Sequence, residues 1–165
     1  MVETTTLQLN LGLSDEARQG IAGILKTLLA DEMVLYVKLR NYHWNVTGPQ
    51  FIALHELFEE QYDALAEVID DTAERIRQYG EMTPGTLEEF KKLARLTEQP
   101  GEYPDWRTMV ANLVADHEAL IRYLRDDTDK IDDDYDDIAS EDFLTGLLQQ
   151  HQKMAWLLRA HLEGA

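Results

Sequence analysis

His43, His55, Glu59, Asp70 and Glu74 lie within one stretch of the chain, and all five are metal-ligand residue types. Imidazole nitrogen and carboxylate oxygen, with coordination positions left open, suit iron or zinc, and manganese less well. Unlike a closed thiolate cage, such a set leaves room for oxygen or peroxide. The chain has no cysteine, which excludes disulfides, thiolate zinc sites and cysteine nucleophiles. The same residue types also make ordinary solvated surface, and His43 could cap a helix C-terminus. What matters is whether the five can meet.

Residues 50–79 contain no proline or glycine and read as one helix. At about 100° per residue, Glu59 lies about 40° from His55, Asp70 about 60° and Glu74 about 100°. They share a stripe, although Asp63 shares it too. Axial distance is more informative. His55 and Asp70 are fifteen residues apart, about 22 Å along a helix axis. No metal cluster spans that length, so one chain offers two half-sites, His55 with Glu59 and Asp70 with Glu74, each an i,i+4 pair. An antiparallel second copy, related by a two-fold axis near residues 64 and 65, sets the first half-site of one chain against the second half-site of the other. Isologous dimers are the commonest oligomers. His43, at the end of the preceding helix, can complete the shell beside His55.

Competing chemistries lack their residues. Di-iron carboxylate bundles carry Glu-x-x-His on two helices. Here the residues three before His43, His55, His117, His151 and His161 are Arg40, Ile52, Val114, Leu148 and Leu158. A zinc-protease His-Glu-x-x-His is also missing, because Glu59 stands where the second histidine would be. Neither a Gly-rich phosphate loop nor a Gly-x-Ser-x-Gly elbow is present.

The elements that would position the five are helices. Ser14 is a plausible N-cap, followed by Asp15 and Glu16, and the apolar spacing predicts a first helix over about 15–45. Gly48 and Pro49 break it. The second runs from near Gln50 to Tyr79, with Gly80 as its C′ residue. A short helix is expected over Thr86–Leu96, inside a long connection. Trp106 to Leu124 and Phe143 to Leu162 mark the third and fourth long helices. The fold class expected is all-α, a four-helix bundle with an extra short helix between helices two and three, as one domain over 1–165 with an extended tail over 1–13.

Apolar residues make up 44% of the 165, which argues against a disordered chain. No apolar run is long enough to cross a bilayer, and the N-terminus lacks a basic n-region. Without an export signal or cysteine, a cytoplasmic location is expected. The formal charge of −17 repels phosphate backbones and draws in cations.

The stretch "HWNVTGPQFIALHELFEEQYDALAEVIDDTAERI", with "LNLGL" before the first helix and "EDFLTGLLQQHQKMAWLLRAHL" at the end, resembles the Dps family, the miniferritins. The likeness covers nearly the whole chain. It implies a ferritin-like bundle in a hollow dodecamer built from two-fold dimers. Its ferroxidase sites would take His43, His55 and Glu59 from one subunit and Asp70 and Glu74 from the dyad mate. The implied activity is oxidation of Fe(II) by hydrogen peroxide, or more slowly by oxygen, with ferric mineral stored inside and protection from oxidative stress. Zinc could occupy the site in place of iron. Glu59 stands where many members carry Asp; the extra methylene keeps the charge and moves the oxygens. Trp44 and Trp156 match tryptophans near the family's site, where radical quenching is conceivable and packing is the first reading. Some members coat DNA with Lys-rich tails. Both tails here lack them, so DNA binding at ordinary salt is not expected. A helical scaffold that binds metal passively is the other alternative.

"DDTDKIDDDYDD" holds eight aspartates from Asp126 to Asp137. It lacks the glycine and closing glutamate of an EF-hand and reads as a solvated loop capping the last helix. The resemblance implies an acidic iron-entry pore near the start of that helix, with Asp137 and Asp142 as candidates. His117 and His151 sit on apolar helix faces and are read as core histidines with satisfied partners. His161 suggests no role.

Overall fold

The computed structural model describes residues 9–163, and every regular element among them is an α-helix. They are α1 (Asp15–Asn45), α2 (Phe51–Gln78), α3 (Leu87–Leu93), α4 (Trp106–Tyr135) and α5 (Ile138–Ala160). Most of the tail expected over 1–13 lies outside the described residues.

Helix α1 starts where the Ser14 hydroxyl accepts the Ala17 N–H at 3.1 Å, with Asp15 and Glu16 in the first turn. It ends at Val46, and Gly48 takes a φ of 102° as the chain turns back into α2. Helix α2 ends as expected at Tyr79. Gly80 follows with a φ of 83°, its N–H bonds Arg77 O at 3.0 Å, and the Glu81 N–H reaches Ile76 O at 3.4 Å. That pair is a Schellman closure, which satisfies carbonyls the helix would leave open. Helices α1 and α2 pack along one another, as do α4 and α5, and their short connections make both pairs antiparallel. Leucines at helical spacing, such as Leu25, Leu28, Leu35 and Leu39 of α1, are fully buried between them.

The crossover from α2 to α4 is tied to α1 by two buried charges. Asp31 accepts the backbone N–H of Arg95 at 2.5 Å, that of Leu96 at 2.9 Å and Arg95 Nε at 2.8 Å. Lys38 Nζ donates to Thr97 O at 2.9 Å and to Asp116 at 2.5 Å. The Asp31 bonds also explain why α3 is shorter than the expected Thr86–Leu96. Thr86 starts it with a capping box, but Ala94 turns extended and the next two N–H groups go to Asp31 rather than back into the helix.

The aspartate run corrects the sequence reading. Residues 126–135 are the last turns of α4, not a loop. Leu124, Ile131 and Tyr135 keep a core-facing stripe at helical spacing through the acids, with Leu124 and Ile131 fully buried. Tyr135 lies against Gly20 of α1, so close that a Cβ there would meet its ring. Only Asp136 and Asp137 connect α4 to α5, Asp136 in the left-handed conformation at φ 51°.

Candidate metal centre

The end of α1 and the start of α2 bring His43 and His55 face to face. Their rings stack with centroids 3.7 Å apart and planes 18° from parallel. Each Nδ1 lies 2.8 Å from the main-chain carbonyl of the other histidine. A carbonyl can only accept, so each Nδ1 carries a proton, and in the neutral tautomer this selects, Nε2 is the nitrogen with the lone pair. In metalloproteins a bond of this kind orients a ligating imidazole; here it is made twice and reciprocally. His43 is buried and His55 half-buried; Tyr62 meets the His43 ring edge-on at 5.3 Å, and Phe51 lies 5.1 Å from His55.

Glu59, one turn beyond His55, is exposed and accepts the Tyr62 hydroxyl at 3.2 Å. Burial, and then this carboxylate, push the Tyr62 phenol upward. Beside it stands a cluster that the sequence reading missed. The Arg40 guanidinium lies over the rings of Tyr62 at 4.8 Å, Trp44 at 5.2 Å and Tyr36 at 5.6 Å. It also donates to the Tyr36 hydroxyl at 2.8 Å, the main cause of its raised pKa. The signal was present as Tyr36, Arg40 and Trp44 at i,i+4 spacing. Packing in the chain's own core does not account for the two candidate tryptophans, since Trp44 is 65% and Trp156 59% exposed.

Asp70 and Glu74 are exposed farther along α2, on turns away from the histidine pair. Among the described residues, no three His, Asp or Glu side chains of one chain converge as a metal cluster. The structure thus joins His43 to His55 and leaves the two half-sites of α2 apart.

At the other end of the bundle, Asp137 is the N-cap of α5, accepting the Ser140 N–H at 3.3 Å and the Tyr79 hydroxyl. Partial burial is the largest single effect and works the other way, but together these bonds hold its pKa below the ordinary value. Asp142 is exposed on the first turns of α5. Glu141 between them is pushed upward by desolvation and then by Asp132, Asp136 and Asp137, so the region is negative. His117 and His151 are buried, as expected, and bond each other; His151 also bonds Glu32, whereas His117 Nε2 has no partner.

Residues 22–165 match the Ferritin family, the ferritin-like domain. The chain is 50% identical over 157 residues to an uncharacterised low temperature-induced protein of Nostoc sp. (strain PCC 7120), covering 95% of this chain and 88% of that one. It is 38% identical over 140 residues to DNA protection during starvation protein 2 of Bacillus anthracis, covering 84% and 94%. Its fold is similar to the crystal structure of a Dps protein from Vibrio cholerae O1, described as a member of a broad superfamily of ferritin-like diiron-carboxylate proteins. That likeness has a TM-score of 0.86 and 29% identity, over 97% of this chain and 100% of that one.

Proposed function

Since the chain belongs to the Dps family of ferritin-like proteins, we propose that it is a ferroxidase and iron-storage protein whose reaction site is shared between two subunits. The observation that carries this reading is the reciprocal His43–His55 lock, which ties up both Nδ1 atoms and leaves Nε2 of each ring as the nitrogen available to a metal. Glu59 of the same chain and Asp70 and Glu74 of a dyad mate would complete the donor set. Fe(II) is the substrate. Two Fe(II) ions give the two electrons that split one peroxide, which takes up two protons and leaves as two waters. Carboxylates favour the Fe(III) formed, and the chain's residues ligate and position rather than transfer protons. Oxygen would serve as a slower oxidant. Ferric mineral would collect inside a hollow cytoplasmic dodecamer, with Asp137 and Asp142 at its iron entries. Zinc would compete for the histidine-rich half of the site.

The test is stopped-flow absorbance of Fe(II) oxidation by peroxide, with His55→Leu, Glu74→Gln as comparison. The fast phase should fall by about two orders of magnitude, as when catalytic ligation is removed, while the assembly elutes unchanged. Equal rates would mean that the stripe is ordinary surface and the protein a passive binder.

A further inference from the structure

Away from the candidate metal centre, three titratable side chains form a hydrogen-bonded row inside the bundle. Glu32 of α1 is 0%, His117 of α4 0% and His151 of α5 1% exposed. Glu32 Oε1 lies 2.8 Å from His151 Nε2, and His151 Nδ1 lies 2.9 Å from His117 Nδ1. The ends of the row, Glu32 Oε2 and His117 Nε2, have no partner. Gln61 of α2 contributes no charge; its amide donates to Met154 O at 3.2 Å, one turn beyond His151. The carboxylates on either side of His117 in the chain are matched, Asp116 by Lys38 and Glu118 by Arg159.

Proton counting sets what this row tolerates. With Glu32 ionised and both imidazoles neutral, His151 Nε2–H donates to Glu32 and His117 Nδ1–H donates to His151. Both bonds form, and the free ends are bare acceptors. One further proton makes His151 a cation beside the Glu32 carboxylate, and it then donates through Nδ1 to His117. Charging both rings leaves two N–H groups facing each other at a separation that accommodates one proton. The bond must break, and a positive charge stands in the core beyond what one carboxylate balances.

We propose that the Glu32–His151–His117 row is an acid-sensitive latch that releases the α4–α5 hairpin from α1. Burial and then His151 hold the His117 pKa well below its ordinary value of 6.5. The sign follows from linkage. The native fold refuses a proton that the unfolded chain accepts, so the stability is whole above 6.5 and is lost as pH falls from there toward the depressed folded value. Net charge works the other way. At −17 the chain repels itself, and mild acid relieves that repulsion. A loss of structure in that window therefore points to the core histidines.

The experiment is amide hydrogen exchange on the intact assembly from pH 7.5 downward, read by mass spectrometry and corrected for intrinsic exchange. In the wild type, peptides covering 113–120 and 147–155 should lose protection before those of α2. His117→Gln, which can still donate to His151 but does not titrate, should lose that protection at a pH lower by about 1 unit. Opening of all helices together in the wild type, or the same pH in the variant, overturns the latch. The first arm needs no variant and decides the matter if His117→Gln does not fold.

Discussion

The Asp31 carboxylate shows what a single buried group can hold. It accepts two backbone N–H groups and one guanidinium N–H, all from the crossover. Asn can accept through one oxygen only and presents an NH2 toward donors. Asp31→Asn should therefore cost about 2–4 kcal/mol, the range for breaking a buried charge-assisted network. Chemical denaturation at neutral pH measures it, and a change under about 0.5 kcal/mol, the scale of ordinary surface substitutions, would contradict that role. The ligand residue types at His43, His55 and Glu59 were legible from spacing, and the structure adds what spacing cannot carry. Which imidazole nitrogen holds the proton depends on two main-chain carbonyls, and a carbonyl's direction leaves no mark on residue identity. The Arg40 stack was visible as an i,i+4 pattern, but a lone arginine on a helix is usually solvated, so the pattern had no claim on attention.

At the scale of helices, four long elements, their caps and the Gly48 and Gly80 breaks were readable, because periodicity and capping are local. Two boundaries were not. Helix α3 stops early because Asp31, sixty-four residues from Arg95, takes the N–H groups that would have continued it. Helix α4 persists through the aspartates because Tyr135 docks on Gly20. Composition suggested a loop, and a sparse apolar stripe overruled it. The Gly20 contact leads to a paired prediction. Alanine in place of an exposed helical glycine stabilises by about 1 kcal/mol. Gly23→Ala, with nothing within 4 Å of the new methyl, should raise the melting temperature. Gly20→Ala would place its Cβ at the Tyr135 ring, and displacing that ring should cost about 1–3 kcal/mol and lower the melting temperature. Scanning calorimetry of both variants checks the pair; a rise in both would mean that Tyr135 moves aside freely.

For the whole molecule the dominant quantity is charge. The relative in Bacillus anthracis is named for DNA protection, but a chain carrying −17 has little with which to displace counterions from a phosphate backbone. Gel-shift titration at physiological salt should show no retarded complex up to micromolar assembly; a tight complex would mean that a local basic surface overrides the net field. Among the described residues no helix is long and apolar enough to cross a membrane. Oligomeric architecture was not legible from composition or periodicity. The axial argument showed only that one chain is too long between half-sites, and the structure agrees that Asp70 and Glu74 do not reach the histidine pair.

His43 and His55 are twelve residues apart in sequence and bond through one tight reversal. A contact that local closes early, since a loop of about ten residues closes in roughly 10–100 ns, and asks nothing of any other molecule. Its proposed counterpart on a dyad mate arrives only by collision. The histidine half would therefore be ready in each newly made chain, and the proposed reaction would wait on encounter with a second copy. Under conditions where chains are mostly unpaired, activity per milligram should climb in proportion to protein concentration and level off once pairing saturates. The short reversal would thus make catalytic output a readout of how much of the protein is present.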